Sequence, residues 1–479
     1  MRQEKGSITI FSLLSLLIIT AGLFALLEGT RLQEMRRFAK LQTTTALESA
    51  FANYNDYLWQ NYHILGTNLT QMNPILERCA SGREGDGLNL LRMNPEEITL
   101  KSYTFLTDGG GRVFIKSVAA YMQDNLIFET AKELYNQYEA SKSIMNSNEV
   151  DIENIEAALE EIKNIEASEE KKMTKTQDAT RVKETQPEEI LETAKTWGNK
   201  GILDLLLEDS GEVSTLRADF SNGLLERELE KGRFEDKPQV DWRDRLLLQQ
   251  YYLTTMSNFR ESKSQCALSY ELEYLLGQKD SDIENLKVVA NKLLALREAT
   301  NFLYLISNPQ KTLEANELAI LLAGASANPA IIEVVKLGIL TAWAFGESIL
   351  DVRGILAGKK IALLKSEDTW TTDFKDLDAL GANFVMAKEA PTGLSYEQYL
   401  GLLLLFEKDE SLAMRAMNLQ EAAIRKNTFV PSFRMDTLVT QVKMCTRYSY
   451  EVIFPFLRVI DAQKRWEYEV YADENYGYY

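Results

Sequence analysis

Histidine is almost absent: His63 is the only one in 479 residues. That excludes a zinc site with two or more histidine ligands and any mechanism needing a histidine pair. The three cysteines, Cys79, Cys266 and Cys445, lie far apart without a C-x-x-C pair, so neither a zinc ribbon nor a disulfide scaffold is indicated. Nine prolines are too few for a Pro-rich disordered chain. Positive charge is short as well: 53 Lys and Arg stand against 71 Asp and Glu, a net charge of −18, which argues against whole-chain attraction to nucleic acid. G-x-S-x-G, H-E-x-x-H and EF-hand patterns do not occur. No cofactor or metal is implied, and chemistry would rest on carboxylates, lysine or tyrosine. What the chain does have is apolar material: 45% hydrophobic residues, 10% of all residues aromatic, enough for a packed core. The length suits about three average domains or one large single-pass protein.

The first sixty residues say most. After a short polar start over 1–7, the stretch from Ile8 to Leu27 carries no charge, and at 1.5 Å per residue it reaches across the roughly 30 Å hydrocarbon core. It reads as a transmembrane helix. A cleaved secretory signal competes, but its apolar region is usually only about 7–15 residues and ends at an A-x-A-like site; here Glu28-Gly29-Thr30-Arg31 follows. Leu32, Met35, Phe38, Leu41, Ala46, Ala50, Phe51, Tyr54 and Leu58 then recur at helical spacing without proline, predicting a helical extension over 28–65 as one continuous rod. A separate amphipathic helix after Gly29 is the plainer alternative. Arg2 and Lys5 precede the span and Arg31, Arg36, Arg37 and Lys40 follow it, a count that favours a cytoplasmic body.

Lys5-Gly6-Ser7-Ile8-Thr9-Ile10-Phe11, the uninterrupted apolar helix and the exit Leu27-Glu28-Gly29-Thr30-Arg31 resemble the N-terminus of TadE/TadG-like proteins of tight-adherence (Flp) pilus loci. The run Ala46-Leu47-Glu48-Ser49-Ala50-Phe51-Ala52-Asn53-Tyr54-Asn55, with Leu58-Trp59 and Tyr62, resembles a Gram-positive family of unknown function described as TadE-like. So do three later stretches, from Ala267 to Tyr274, Ala342 to Ser348 and Leu394 to Leu400. The resemblance implies a pilin-like membrane protein with its body outside the cytoplasm, against the charge count, and with envelope or pilus-assembly proteins as partners. It also points to Gly6 and Ser7 as a processing site. There is a departure: pilin-type precursors carry a glutamate five residues into the mature helix, where this chain has Phe11.

Further along, Ile98 to Met122 is rich in β-branched and aromatic residues around Asp108-Gly109-Gly110-Gly111, predicting a β-hairpin region over 98–136. An acidic helix and linker are expected over 137–187: Asp151 to Thr193 holds thirteen acidic and six basic residues, and Lys171 to Gln186 has little apolar content. Residues 188–425 read as a helical domain from the apolar 3-and-4 spacing of Trp242–Phe259, Tyr270–Leu276, Ser281–Ile306, Leu313–Ala323 and Ala330 to about Gly354. Glu333, Lys336 and Glu347 make the last of these a core helix in preference to a second span. Strands return over 426–479, where Met435–Phe456 and Trp466–Val470 are expected to pair with the early hairpin in one antiparallel sheet. The fold class is therefore α+β: a transmembrane helix extended into a long helix, a small antiparallel sheet of early and late strands, and a large helical insertion.

Candidate sites are few. Glu347 and Asp351 sit four apart near Arg353 and could act as an acid–base pair, although Trp343, Phe345 and Ile349 favour a core helix whose charges pair with Arg353 or Lys336. Gly354 to Lys360 fails as a P-loop, with three residues between its glycines and Lys360 where Ser or Thr should stand. His63, beside Trp59 and Tyr62, suits a packing or capping role. Asn68-Leu69-Thr70 is a formal glycosylation sequon, and Tyr476-Gly477-Tyr478-Tyr479 is either an interaction patch or a frayed terminus. Glu28 and Arg31 are the candidates for helix-end contacts with partner subunits. The expectation is a non-enzymatic single-pass envelope protein bound to membrane lipid. The alternatives are a tethered hydrolase or transferase using carboxylates, and a tethered sensor whose acidic region recruits a basic partner.

Overall fold

Ala, Leu and Ile dominate the leading run, and nothing in it competes with helix formation. The computed structural model describes residues 4–80, 93–124, 201–209, 211, 213–233, 238–263, 265–323, 329–373, 384–451 and 467–478. In it α1 runs unbroken from Glu4 to Phe51, 48 residues or roughly 72 Å. Hydroxyls within the apolar half bond back to their own helix, Ser12 Oγ to Ile8 O at 2.8 Å and Thr20 Oγ1 to Leu16 O at 2.9 Å, so they need no water. The rod stops at Phe51, short of 65, because Asn55 starts a new helix: its Oδ1 accepts from Leu58 N at 2.8 Å and caps α2, Asp56–Tyr62. His63 closes α2 in the left-handed conformation at φ 54° and stacks on Tyr121 at 4.7 Å.

The chain divides into two compact units. The first comprises Met1–Tyr121, Leu224–Asp241 and Val430–Tyr479. Its sheet is antiparallel around β3, Leu438–Glu451. On one side of β3 lies β2, Met93–Phe105; on the other lie β4, Glu467–Gly477, and the two-residue β1, Thr67–Asn68. The second half of α1 crosses this sheet. Met35 and Ala39 pack with Met93, Tyr448, Tyr450, Val470 and Ala472, while Ala46, Leu47, Ala50 and Phe51 pack with Phe105, Val439, Val442 and Met444. The alanines keep the helix backbone close to the strands. Helix α3, Leu69–Ala80, closes the second cluster with Met72 and Leu76.

The expected hairpin over 98–136 is corrected: β2 turns at Thr107–Gly111 into α4, Arg112–Asp124, and the remainder of that range, 125–136, lies outside the described residues. The strand finds its partner far along the chain. Asp108 Oδ2 accepts from Phe105 N at 2.8 Å, Gly109, Gly110 and Gly111 all take positive φ, and Val113, Phe114, Ile115, Val118, Ala119 and Met122 are then buried at helical, not alternating, spacing.

The second unit comprises Met122–Gly223 and Trp242–Phe429. The helical insertion is thus broken once, where Leu224–Asp241 returns to the first unit. Among the described residues its helices are α5 (Ile202–Leu206), α6 (Trp242–Thr255), α7 (Glu271–Gly277), α8 (Asp282–Ser307), α9 (Pro309–Ala323), α10 (Pro329–Leu356), α11 (Tyr396–Leu405) and α12 (Asp409–Asn427). The five spans expected from periodicity are found within a few residues. The acidic helix and linker over 137–187 lie outside the described residues.

Candidate functional site

The span of α1 presents its apolar side chains outward: Ile8, Phe11, Leu13, Leu16, Ile18 and Leu26 are each more than 60% exposed. This one N-terminal helix is long and apolar enough to cross a membrane, with mean hydropathy 2.6 and none of that window buried. Gly6 and Ser7 fall in its first turns. Where the apolar half ends, Arg31 Nη1 pairs with Glu28 Oε1 at 2.9 Å, the side chains only 10% and 12% exposed, and the guanidinium lies 5.5 Å from the centre of the Tyr450 ring. Both candidate partner contacts thus engage each other, and Arg31 also engages the sheet.

Helix α10 also has the length and hydropathy of a span, at 1.5 over its best window. Yet from Ile339 onward it is a core helix, with Glu347 and Asp351 fully buried and Arg353 nearly so. The expected partners of those carboxylates are corrected. Lys336 pairs with Glu333, one turn away and outside the core, at 2.6 Å. Arg353 donates to Leu205 O at 2.9 Å and Val385 O at 3.2 Å. The cations that meet the carboxylates are Arg297 of α8 and Lys365. Arg297 reaches Asp351 Oδ2 through Nε at 3.0 Å and Nη2 at 2.9 Å, and Asn301 Nδ2 donates to the same oxygen at 2.8 Å. Lys365 Nζ lies 2.6 Å from Glu347 Oε1 and 2.7 Å from Asp351 Oδ1. Glu347 also accepts from the backbone N–H groups of Thr371 and Thr372, the latter at 2.8 Å. Tyr399 of α11 accepts from Arg297 Nη1 at 3.2 Å and donates to Ile361 O.

Two basic and two acidic side chains therefore sit together in a buried core, where Asp351 Oδ1 has the close Lys365 amine beside it but no hydrogen-bond partner among the described residues. Such a cluster costs desolvation and endures through its geometry. Nearby, Glu273 of α7 is fully buried; its Oε1 accepts from Tyr396 O–H at 2.6 Å and Phe259 N at 2.8 Å, while Oε2 has no hydrogen-bond partner among the described residues. Burial pushes this carboxyl up to about 7 against the opposing pull of those donors. The three later stretches that carry the resemblance each bring buried polar groups to the helical unit: α7 brings Glu273, α10 brings Glu347, and α11 brings Tyr396, bonded to Glu273, and Tyr399, bonded to Arg297.

Sequence reasoning missed Arg297 and Lys365. A signal for the first was present. Arg297 falls in phase with Leu286, Ala290, Leu293 and Asn301, the buried stripe of α8, so it sits where a core residue belongs. Asp436 in the first unit was also missed: burial disfavours its charge, but Arg434 and Arg227, at 2.7 Å each, and Glu230 N hold it at about 2.

A family model described as a family of unknown function, DUF5702, matches residues 180–450, more than half of the chain. The chain belongs to that family. The matched span takes in the entire charged core of the helical unit, together with Asp436 and most of β3, and leaves out α1 and β2. The match begins well after α1 in the chain, although β3, most of which it includes, packs against that helix. No curated protein and no solved structure matches the chain.

The remaining candidates resolve locally. Gly354 to Lys360 lies at the C-terminal end of α10, where Gly358 takes φ 89° and Lys359 N bonds to Gly354 O; carbonyls and not amides face outward there, the wrong polarity for phosphate. Asn68 Oδ1 caps α3 by accepting from Thr70 N at 2.9 Å. Tyr478 is neither a free patch nor frayed: its hydroxyl donates to Phe51 O at 2.6 Å, and its ring meets Phe51 edge-on at 4.9 Å.

Proposed function

We propose that this DUF5702 protein is a non-enzymatic, single-pass envelope protein of the TadE/TadG type, a pilin-like component of a pilus or secretion assembly, with its body outside the cytoplasm. The observation that carries the reading is α1: one continuous helix whose first half is apolar and bare and whose second half is packed across an antiparallel sheet. That arrangement couples a lipid anchor rigidly to a folded body, as a pilin-like subunit requires. The first four stretches of resemblance support it, and so does the Glu28–Arg31 pair, which neutralises both charges where the helix leaves the lipid. The carboxylates that could have served a hydrolase or transferase are engaged in a core with no exposed surface.

Protease added to intact cells tests the sidedness: the reading expects the body to be digested while the anchor stays in the membrane. A body protected until the cells are lysed would refute it. Co-purification with neighbouring envelope proteins after mild solubilisation tests assembly, and a strictly solitary chain would count against a pilus-type role. N-terminal sequencing of the mature chain decides whether Gly6 is a processing site.

A further inference from the structure

Lys365, Glu347 and Asp351 are more than a balanced ion cluster. Their side chains are 1%, 0% and 0% exposed, and the lysine amine lies 2.7 Å from Asp351 Oδ1 and 2.6 Å from Glu347 Oε1. Asp351's other oxygen, Oδ2, receives three donors: Arg297 Nε, Arg297 Nη2 and Asn301 Nδ2, at 3.0, 2.9 and 2.8 Å. An amine thus faces a carboxyl group whose far oxygen sits in a ready oxyanion site, with a second carboxylate touching the amine. We propose that Lys365 and Asp351 condense into an intramolecular isopeptide bond, with Glu347 carrying the proton.

The atoms balance without an oxidant, nucleotide or metal. The reaction sequence begins with transfer of one ammonium proton from Lys365 Nζ to Asp351 Oδ1, 2.7 Å away. The amine lone pair then attacks Asp351 Cγ, and the carbonyl pair moves onto Oδ2, where Arg297 and Asn301 hold the negative charge. Glu347 takes a second proton from the nitrogen and delivers it to Oδ1. The Cγ–Oδ1 bond breaks with its electrons on oxygen, water leaves, and Oδ2 returns to a carbonyl. One proton remains on nitrogen as the amide N–H.

Charge accounting favours this outcome. Before condensation the cluster holds Arg297, Lys365, Glu347 and Asp351, two of each sign. Afterwards Arg297 and Glu347 remain, still balanced, and two buried charges are gone. Burial that favours the step also keeps water from reversing it. The bond ties α10 to the segment that follows it, whose Thr371 and Thr372 amides and Thr369 carbonyl already hold Glu347 and Lys365.

The test is the mass of the full chain, extracted from its membrane in detergent, with a tryptic digest. The expected result is a chain one water lighter than its mature sequence and a branched peptide joining Asp351 to Lys365, at which trypsin no longer cuts. Glu347→Gln, which keeps the size and an acceptor, is expected to restore the full mass with cleavage at Lys365, and Lys365→Arg likewise. A wild-type chain at full mass, cut freely at Lys365, overturns the proposal whether or not the variants fold. A bond that still forms in Glu347→Gln overturns the proton-carrying role of Glu347.

Discussion

Replacing Glu273 with glutamine removes one ionisable group from the core of the helical unit while leaving its contacts in place. The Oε1 acceptor used by Tyr396 and Phe259 survives, and an amide replaces the oxygen that had no partner. The carboxyl titrates at about 7 in the fold against 4.5 in an open chain, chiefly because it is buried. A folded-state value above the unfolded one means that the fold holds a proton the unfolded chain has lost. The stabilising contribution of the protonated acid is therefore complete below pH 4.5, declines as pH rises, and is gone above about 7. At 1.36 kcal/mol for each pH unit between the two values, the ionised fold is disfavoured by about 3 kcal/mol. Glu273→Gln is expected to match the wild type near pH 4.5 and to exceed its stability by up to about 3 kcal/mol at pH 8. Urea unfolding of the detergent-solubilised chain, followed by the fluorescence of buried Trp343 and Trp370, reads the difference. A gap between variant and wild type that stays constant from pH 5 to 8 would refute the reasoning.

Asp436→Ala removes the buried carboxylate that Arg227 and Arg434 both contact and is expected to cost the first unit about 3 kcal/mol, seen as a lower urea midpoint. Because Asp436 is held at about 2, its contribution is present above the ordinary aspartate value of 3.8 and fades as pH falls toward 2; the same unfolding experiment at low pH should show the Asp436→Asn difference shrinking. Ala50→Leu places extra volume between α1 and the sheet and should destabilise the first unit by roughly 1–3 kcal/mol, while flotation with membranes remains unchanged. Replacing Glu28 and Arg31 together by alanine removes a mostly shielded pair and is expected to leave membrane association intact. If co-purification with envelope neighbours is also unchanged, the pair is no partner contact.

Much of the fold was legible. The uncharged run Ile8–Leu27 and the helical spacing beyond it imply α1 as a continuous rod, and the five helical spans from Trp242 to Leu356 follow from apolar 3-and-4 periodicity. The clearest misreading was the hairpin over 98–136. β-Branched residues on both sides of a glycine turn look alike in composition, and the burial phase of Phe114, Val118 and Met122 that marks a helix was outweighed by that resemblance. The core carboxylates of α10 were also visible, but their partners were assigned to the nearest cations, Arg353 and Lys336, which the fold uses elsewhere.

Local pattern thus determined what each segment is and which of its faces is covered, because periodicity and hydropathy are properties of neighbouring residues. Tertiary structure decided what lies against that face. β2 takes its register from β3, more than three hundred residues later, Arg297 and Lys365 supply the charges for Glu347 and Asp351, and Tyr478 bonds back to the end of α1. Burial itself is decided there too. A carboxyl such as Glu273 departs from its ordinary titration only when several elements close over it, and no window of sequence contains that enclosure.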